Sequence, residues 1–227
     1  MEAMIWYGLI AIGTIITMVA QGFVSGSYSK YSKIANKKVL TGREVARRIL
    51  DKNGLEDVDV VEVSGYLTDH YDPTKKIVRL SSAIYHDTSI ASVSVAAHEC
   101  GHAVQDKVGY KPMRIRSKIV PLVNFSSYAG YLAIILGAAL GYMNLIWAGI
   151  IAELVIVAFQ LVTLPVEINA SKRGMNEIRE EKFLEGSEIK SAKTMLTAAA
   201  STYLASVATA ILQVIRLVFA YGRRGNN

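Results

Sequence analysis

At 227 residues, 52% hydrophobic and with a mean hydropathy of +0.29, the chain is too apolar for an ordinary soluble domain and too polar to lie wholly in a bilayer. Its net charge of +6 sits beside apolar runs, not with stacking aromatics, which excludes a nucleic-acid platform and points to a membrane surface. A single cysteine, Cys100, excludes an internal disulfide framework and suits a reducing compartment.

Residues 3–24 carry no charge and are long enough for one bilayer crossing, which takes about 20 apolar residues. The start has Glu2 and no Lys or Arg, so it reads as an uncleaved anchor, not a secretory signal. Lys30, Lys33, Lys37, Lys38, Arg43, Arg47 and Arg48 follow at once, which places that side in the cytoplasm. Thr41 and Glu44 fit a capping box ahead of a helix with Val45, Ile49 and Leu50 on its buried stripe, ended by Gly54. Residues 59–63 read as a strand, Asp72-Pro73 as a turn, and 76–80 as a half-buried strand. A helix is expected over 89–106.

Two more apolar runs, 120–141 and 145–164, are joined by a stretch too short for anything but a tight hairpin. A hairpin returns the chain to the side it left, so Glu167 is expected on the same side as His98. Residues 195–215 are apolar but rich in Ala, Ser and Thr, and read as a fourth span or a helix packed on the domain. As a span, it would leave Arg216, Arg223 and Arg224 outside. The expected organisation is an anchor (1–24), a soluble domain (25–119) holding the 89–106 helix, a transmembrane hairpin (120–164), a helix and cytoplasmic segment containing Glu167 (165–194) and a fourth span with its tail (195–227).

The chemistry concentrates in His98-Glu99-Cys100-Gly101-His102, which holds two of only four histidines in the chain. Histidines at i and i+4 leave one helix face a turn apart. Two imidazole nitrogens so placed can bind one tetrahedral zinc, leaving Glu99 beside the first to take a proton from the metal's water. Apolar flanks argue against ordinary surface histidines. Cys100 points about 200° away from His98 and is expected to pack inside. A catalytic zinc needs a third protein ligand. From the residues alone the candidates are Glu167, His70, His86, Glu177 and Glu180. Glu153, Gln160 and Glu167 recur every seven residues, a polar stripe on the third apolar run that drifts only about 20° per step. His70, Tyr71, Tyr85 and His86 are candidates to stabilise an oxyanion.

The HECGH helix together with LPVEINASKRG resembles the gluzincin metallopeptidases. The run LTDHYDPTKKIVRLSSAIYH followed by VAAHECGHAVQ resembles the YugP-like neutral zinc metallopeptidases in particular, which are membrane proteins. The likeness runs from about residue 25 to 220. It implies a mainly α, α+β membrane protein with three to four transmembrane helices and a small zincin-type domain. It also implies Glu167 as third zinc ligand and hydrolysis of peptide bonds. In the more distant HtpX-like relatives an Asp four positions after that glutamate supports the first histidine; Ser171 stands there in this chain, and Asn169 is a candidate substitute. The likeness further implies that 76–80 is an edge strand whose residues Ile77, Val78, Arg79 and Leu80 take an extended peptide by strand addition. The expected partners are a protein or peptide substrate and the lipid bilayer, with the site facing the cytoplasm of a multi-pass cell-membrane protein. The alternative is a zinc-binding membrane protein without peptidase activity, a sensor or assembly factor.

Overall fold

The computed structural model of the protein describes residues 2–222. It is mainly helical: α1 (Glu2–Tyr31), α2 (Gly42–Lys52), β1 (Asp59–Val63), β2 (His70–Asp72), β3 (Ile77–Ser81), α3 (Ser82–His86), α4 (Ile90–Lys107), α5 (Lys111–Leu140), α6 (Met143–Glu180) and α7 (Ser187–Tyr221). Two compact units form from it. Among the described residues, one comprises Gly22–Met113 and Val166–Ser201; the other comprises residues 2–21, Arg114–Pro165 and residues 202–222. These divisions fall after Gln21, Met113, Pro165 and Ser201, where the sequence suggested breaks after 24, 119, 164 and 194. The shifts have a packing cause. Tyr28 and Tyr31 of α1, Met113 of α5, and Ala192, Met195 and Leu196 of α7 all lie in the core of the first unit.

The first unit is built on α2 and α4 with the small sheet and α3 against them. Thr41 caps α2 by the expected box: its hydroxyl accepts from Glu44 N–H, and the Glu44 carboxylate accepts from Thr41 N–H at 2.8 Å. Such a cap contributes about 1 kcal/mol. Helix α2 ends at Lys52, and Gly54 takes φ +62°, the left-handed turn glycine allows. The stripe Val45, Ile49 and Leu50 is fully buried, meeting Val58, Val78, Leu80, Val93, Ala97, Ile178 and Phe183 in one core. Asn36 pins the loop after α1: its amide donates to the carbonyls of Leu40 and Thr88, and its oxygen accepts from Leu40 N–H. Lys52 reaches Glu177, Glu180 and Glu181 at 2.8–3.0 Å and ties α2 to the end of α6.

The sheet has the order β1-β3-β2, with β1 parallel and β2 antiparallel to β3. The expected edge strand at 76–80 is therefore the central strand, and its backbone is taken on both sides. The three-residue strand β2 was too short to show a period in the sequence, and it covers the edge that β3 was expected to offer. Val78 and Leu80 point into the core and Arg79 is ion-paired to Asp72 at 2.9 Å, so Ile77–Leu80 is not a surface for adding a substrate strand.

The second unit turns its apolar side chains outward. Four helices, Met4–Tyr31, Lys111–Leu140, Met143–Glu180 and Ser187–Tyr221, are long and apolar enough to cross a membrane. Only 6%, 11%, 17% and 22% of their most apolar stretches are buried inside the protein. Phe125, Tyr128, Tyr131, Ile151 and Phe219 are all exposed, which a water-soluble surface does not tolerate over such an area. The molecule is a multi-pass membrane protein. The fourth apolar run meets both readings of it: the first half of α7 packs in the core of the first unit and its second half continues as an apolar span. Between α5 and α6 the turn is Gly141-Tyr142, with Gly141 at φ +72°. A Cβ at Gly149 would stand 2.7 Å from the Gly130 carbonyl oxygen, so small residues let these two helices touch through their backbones. Arg223 and Arg224, expected beyond the last span, lie outside the described residues.

Candidate metal centre

Helix α4 starts at the Ser89 cap, whose hydroxyl accepts from Ser92 N–H at 3.0 Å. Helix α6 reaches it along a seam of small residues. A Cβ at Gly101 would lie 2.5 Å from the Ala170 carbonyl oxygen, and a Cβ at Gly174 would lie 2.6 Å from the Ala97 carbonyl oxygen. The two glycines face each other's helix, so the backbones meet with no side chain between them. The glycine within HECGH is thus structural, and Gly174 is its counterpart on α6.

This seam brings Glu167 to the histidines. Its Oε2 lies 3.3 Å from His98 Nε2 and 3.4 Å from His102 Nε2. The donor atoms of all three residues lie within 4.8 Å of one another, and His102 and Glu167 are buried. The two rings stand edge to face at 87°, with centroids 4.8 Å apart. Two imidazole nitrogens and a carboxylate oxygen converging on one point fit a metal ion, and the donor set leaves a fourth tetrahedral position open, as zinc hydrolase sites do.

Both outer ring nitrogens are held. Ser171 Oγ lies 3.1 Å from His98 Nδ1, so the serine that replaces an expected aspartate still reaches the ring. Gln105 Oε1 lies 3.0 Å from His102 Nδ1, and Gln105 is fully buried. Asn169 does not support His98. Its Oδ1 accepts from Gln105 Nε2 at 3.0 Å and from Arg173 Nε at 2.8 Å. Gln105 was not picked out from the sequence, although its place three residues after His102 puts both on one helix face.

Glu99 is buried, and its Oε2 accepts from Tyr71 N–H at 3.0 Å. Burial pushes its carboxyl up to about 7; the charge of His98 opposes this, while the carboxylates of Glu167 and Asp69 add to it. Asp69 is itself raised by burial, against hydrogen bonds from Ser81 N–H and hydroxyl at 2.7 and 3.0 Å.

The other candidates are occupied elsewhere. His70 Nδ1 faces the Thr68 carbonyl at 2.8 Å, and His86 pairs with Glu62 at 3.0 Å. Glu177 and Glu180 hold Lys52. Tyr71 donates its hydroxyl to Asp106 at 2.9 Å, and Tyr85 lies under Arg43. Cys100 is buried against the Ala46 carbonyl, as its helix angle required. Glu153 and Gln160 belong to the other unit.

A family model described as "Putative neutral zinc metallopeptidase" matches residues 6–222. The chain is 46% identical over 209 residues to the "Putative membrane protease YugP" of Bacillus subtilis (strain 168), a match covering 91% of this chain and 93% of that protein. No solved structure matches the chain.

Proposed function

The chain belongs to the neutral zinc metallopeptidase family, and on that premise we propose that it is a membrane-anchored endopeptidase of the HExxH, gluzincin type. The observation that carries this is the buried meeting of His98, His102 and Glu167 beside Glu99. The three ligand side chains would hold one zinc ion. Bound there, zinc would supply a Lewis acid that acidifies a water and polarises a peptide carbonyl. Glu99 takes a proton from the attacking water and passes it to the leaving amine nitrogen. A carboxyl brought to about 7 is suited to both halves of that transfer near neutral pH. The hydrogen bond from Tyr71 N–H holds Glu99 at β2, an edge of the sheet.

The basic segment from Lys30 to Arg48 follows the first apolar helix and belongs to the unit that holds the ligands, which supports a cytoplasmic site. A site on a chain tethered by spanning helices meets membrane proteins or unfolded segments close to the bilayer, and these are the substrates we assign.

Purified wild type and Glu99→Gln are expected to bind about one zinc per chain, and only the wild type is expected to cleave unfolded casein. The loss should be about 10²- to 10⁴-fold. Zinc in both with equal or no cleavage would favour a non-catalytic zinc protein, and absence of zinc in both would overturn the reading.

A further inference from the structure

We propose that Gln105 is a positioning residue that presets His102 as the tautomer carrying its proton on Nδ1, and that Asn169 and Arg173 lock Gln105 in the orientation this requires. The inference rests on the metal reading of His98, His102 and Glu167, and concerns what prepares one of those ligands.

The argument follows donors and acceptors along a chain. A guanidinium only donates. Arg173 Nε donates to the terminal atom of Asn169 at 2.8 Å, so that atom is the amide oxygen. One end of Gln105 lies 3.0 Å from this same oxygen and 2.8 Å from the Val166 carbonyl oxygen. Two acceptors fix that end as the NH₂ group. The other end must be the carbonyl oxygen, and it lies 3.0 Å from His102 Nδ1. A carbonyl oxygen only accepts, so Nδ1 carries the proton. The Glu167 carboxylate, 3.4 Å from Nε2, is a second pure acceptor and competes for that proton in the metal-free protein; a metal ion held at Nε2 would remove the competition, and the Gln105 contact then keeps the proton on Nδ1 and the lone pair on Nε2.

Reversing Gln105 would set its oxygen against the Val166 carbonyl. It would also require Asn169 to reverse, which sets an NH₂ group against Arg173. Each reversal places like poles together, at a fully buried Gln105 and a half-buried Asn169, and unmade hydrogen bonds are costly most of all at the first. His98 differs. Its Nδ1 meets the Ser171 hydroxyl, which can donate or accept, so the contact fixes no tautomer. The two imidazole ligands are therefore unequal: His102 is preset and His98 is adaptable.

The test reads metal affinity and tautomer separately. Zinc affinity, measured by chelator competition, should fall by about 10- to 100-fold in Gln105→Leu, and by less in Ser171→Ala. Asn169→Leu should weaken zinc binding. Asn169→Asp should restore it, because a carboxylate accepts from both Arg173 and Gln105. Nitrogen-15 spectra of metal-free, histidine-labelled Glu167→Ala protein at alkaline pH, where no carboxylate faces Nε2, should show His102 protonated at Nδ1, the resonance being assigned by its absence when His102→Asn is added. Gln105→Leu in the same background should show a mixture of tautomers. Wild-type zinc affinity in both Gln105→Leu and Asn169→Leu, or an unchanged tautomer in Gln105→Leu, would overturn the inference. Failure of the wild type to bind zinc would instead remove the metal reading, and the tautomer spectra would still decide the role of Gln105.

Discussion

In the first unit, Gly101 and Gly174 bring α4 and α6 into backbone contact; in the second, Gly130 and Gly149 do the same for α5 and α6. The device is shared and the consequence is not. The hairpin seam joins apolar surfaces, and no ligand geometry hangs on it. The α4–α6 seam sets where Glu167 Oε2 stands relative to two ring nitrogens at 3.3 and 3.4 Å. Close packing is thus a stability term in one region and a coordinate of the candidate metal centre in the other.

Gly101→Ala should break this comparison most sharply. The added Cβ meets a backbone carbonyl oxygen at 2.5 Å, which cannot rotate away, so the helices must separate. A displacement on that scale is expected to cost on the order of 100-fold in zinc affinity and activity, and chelator competition will measure the affinity part.

Next in size is a pH effect confined to the site. The Glu99 carboxyl is raised from 4.5 to about 7 in the folded, metal-free protein. A raised pKa means the folded state holds the proton more tightly than the unfolded state. This contribution is complete below pH 4.5 and is lost as pH rises through about 7, a fall of about 3 kcal/mol. Thermal unfolding of chelator-treated protein in detergent should show a lower Tm at pH 8 than at pH 5.5, and Glu99→Gln should flatten the profile.

Gly149→Ala places a Cβ 2.7 Å from the Gly130 oxygen and should lower stability by about 1–2 kcal/mol, seen as a drop in Tm, with zinc affinity unchanged. If it lowered zinc affinity as Gly101→Ala does, the distinction between the two seams would be lost. The smallest effect is expected from His86→Asn. It removes an exposed pair with Glu62 and should leave both Tm and zinc stoichiometry unchanged.

Much of this was legible in the residues because the relevant signals are local. The capping box at Thr41, the i, i+4 histidines, and the apolar runs broken by a short turn each depend on a few neighbouring positions. What was not legible depends on pairing at a distance. The place of β3 in the sheet is decided by β2, a strand of three residues with no period of its own. The role of Gln105 depends on the Val166 carbonyl, 61 residues away, and that of Gly174 on the Ala97 carbonyl. With Ser171 in the place of an aspartate, Asn169 was the candidate support for His98, and Asn169 turns instead to Gln105 and Arg173. The structure brings the Ser171 hydroxyl within 3.1 Å of His98.

X-ray absorption at the zinc edge of the purified, full-length protein tests the central claim most directly. The account predicts one zinc per chain with two imidazole nitrogens at about 2.0–2.1 Å, oxygen completing the shell, and no sulfur. In His102→Asn and Glu167→Gln the zinc should be lost or its shell changed. A sulfur scatterer at about 2.3 Å would mean that Cys100 binds the metal. That result, or a zinc shell unchanged by both substitutions, would contradict the account.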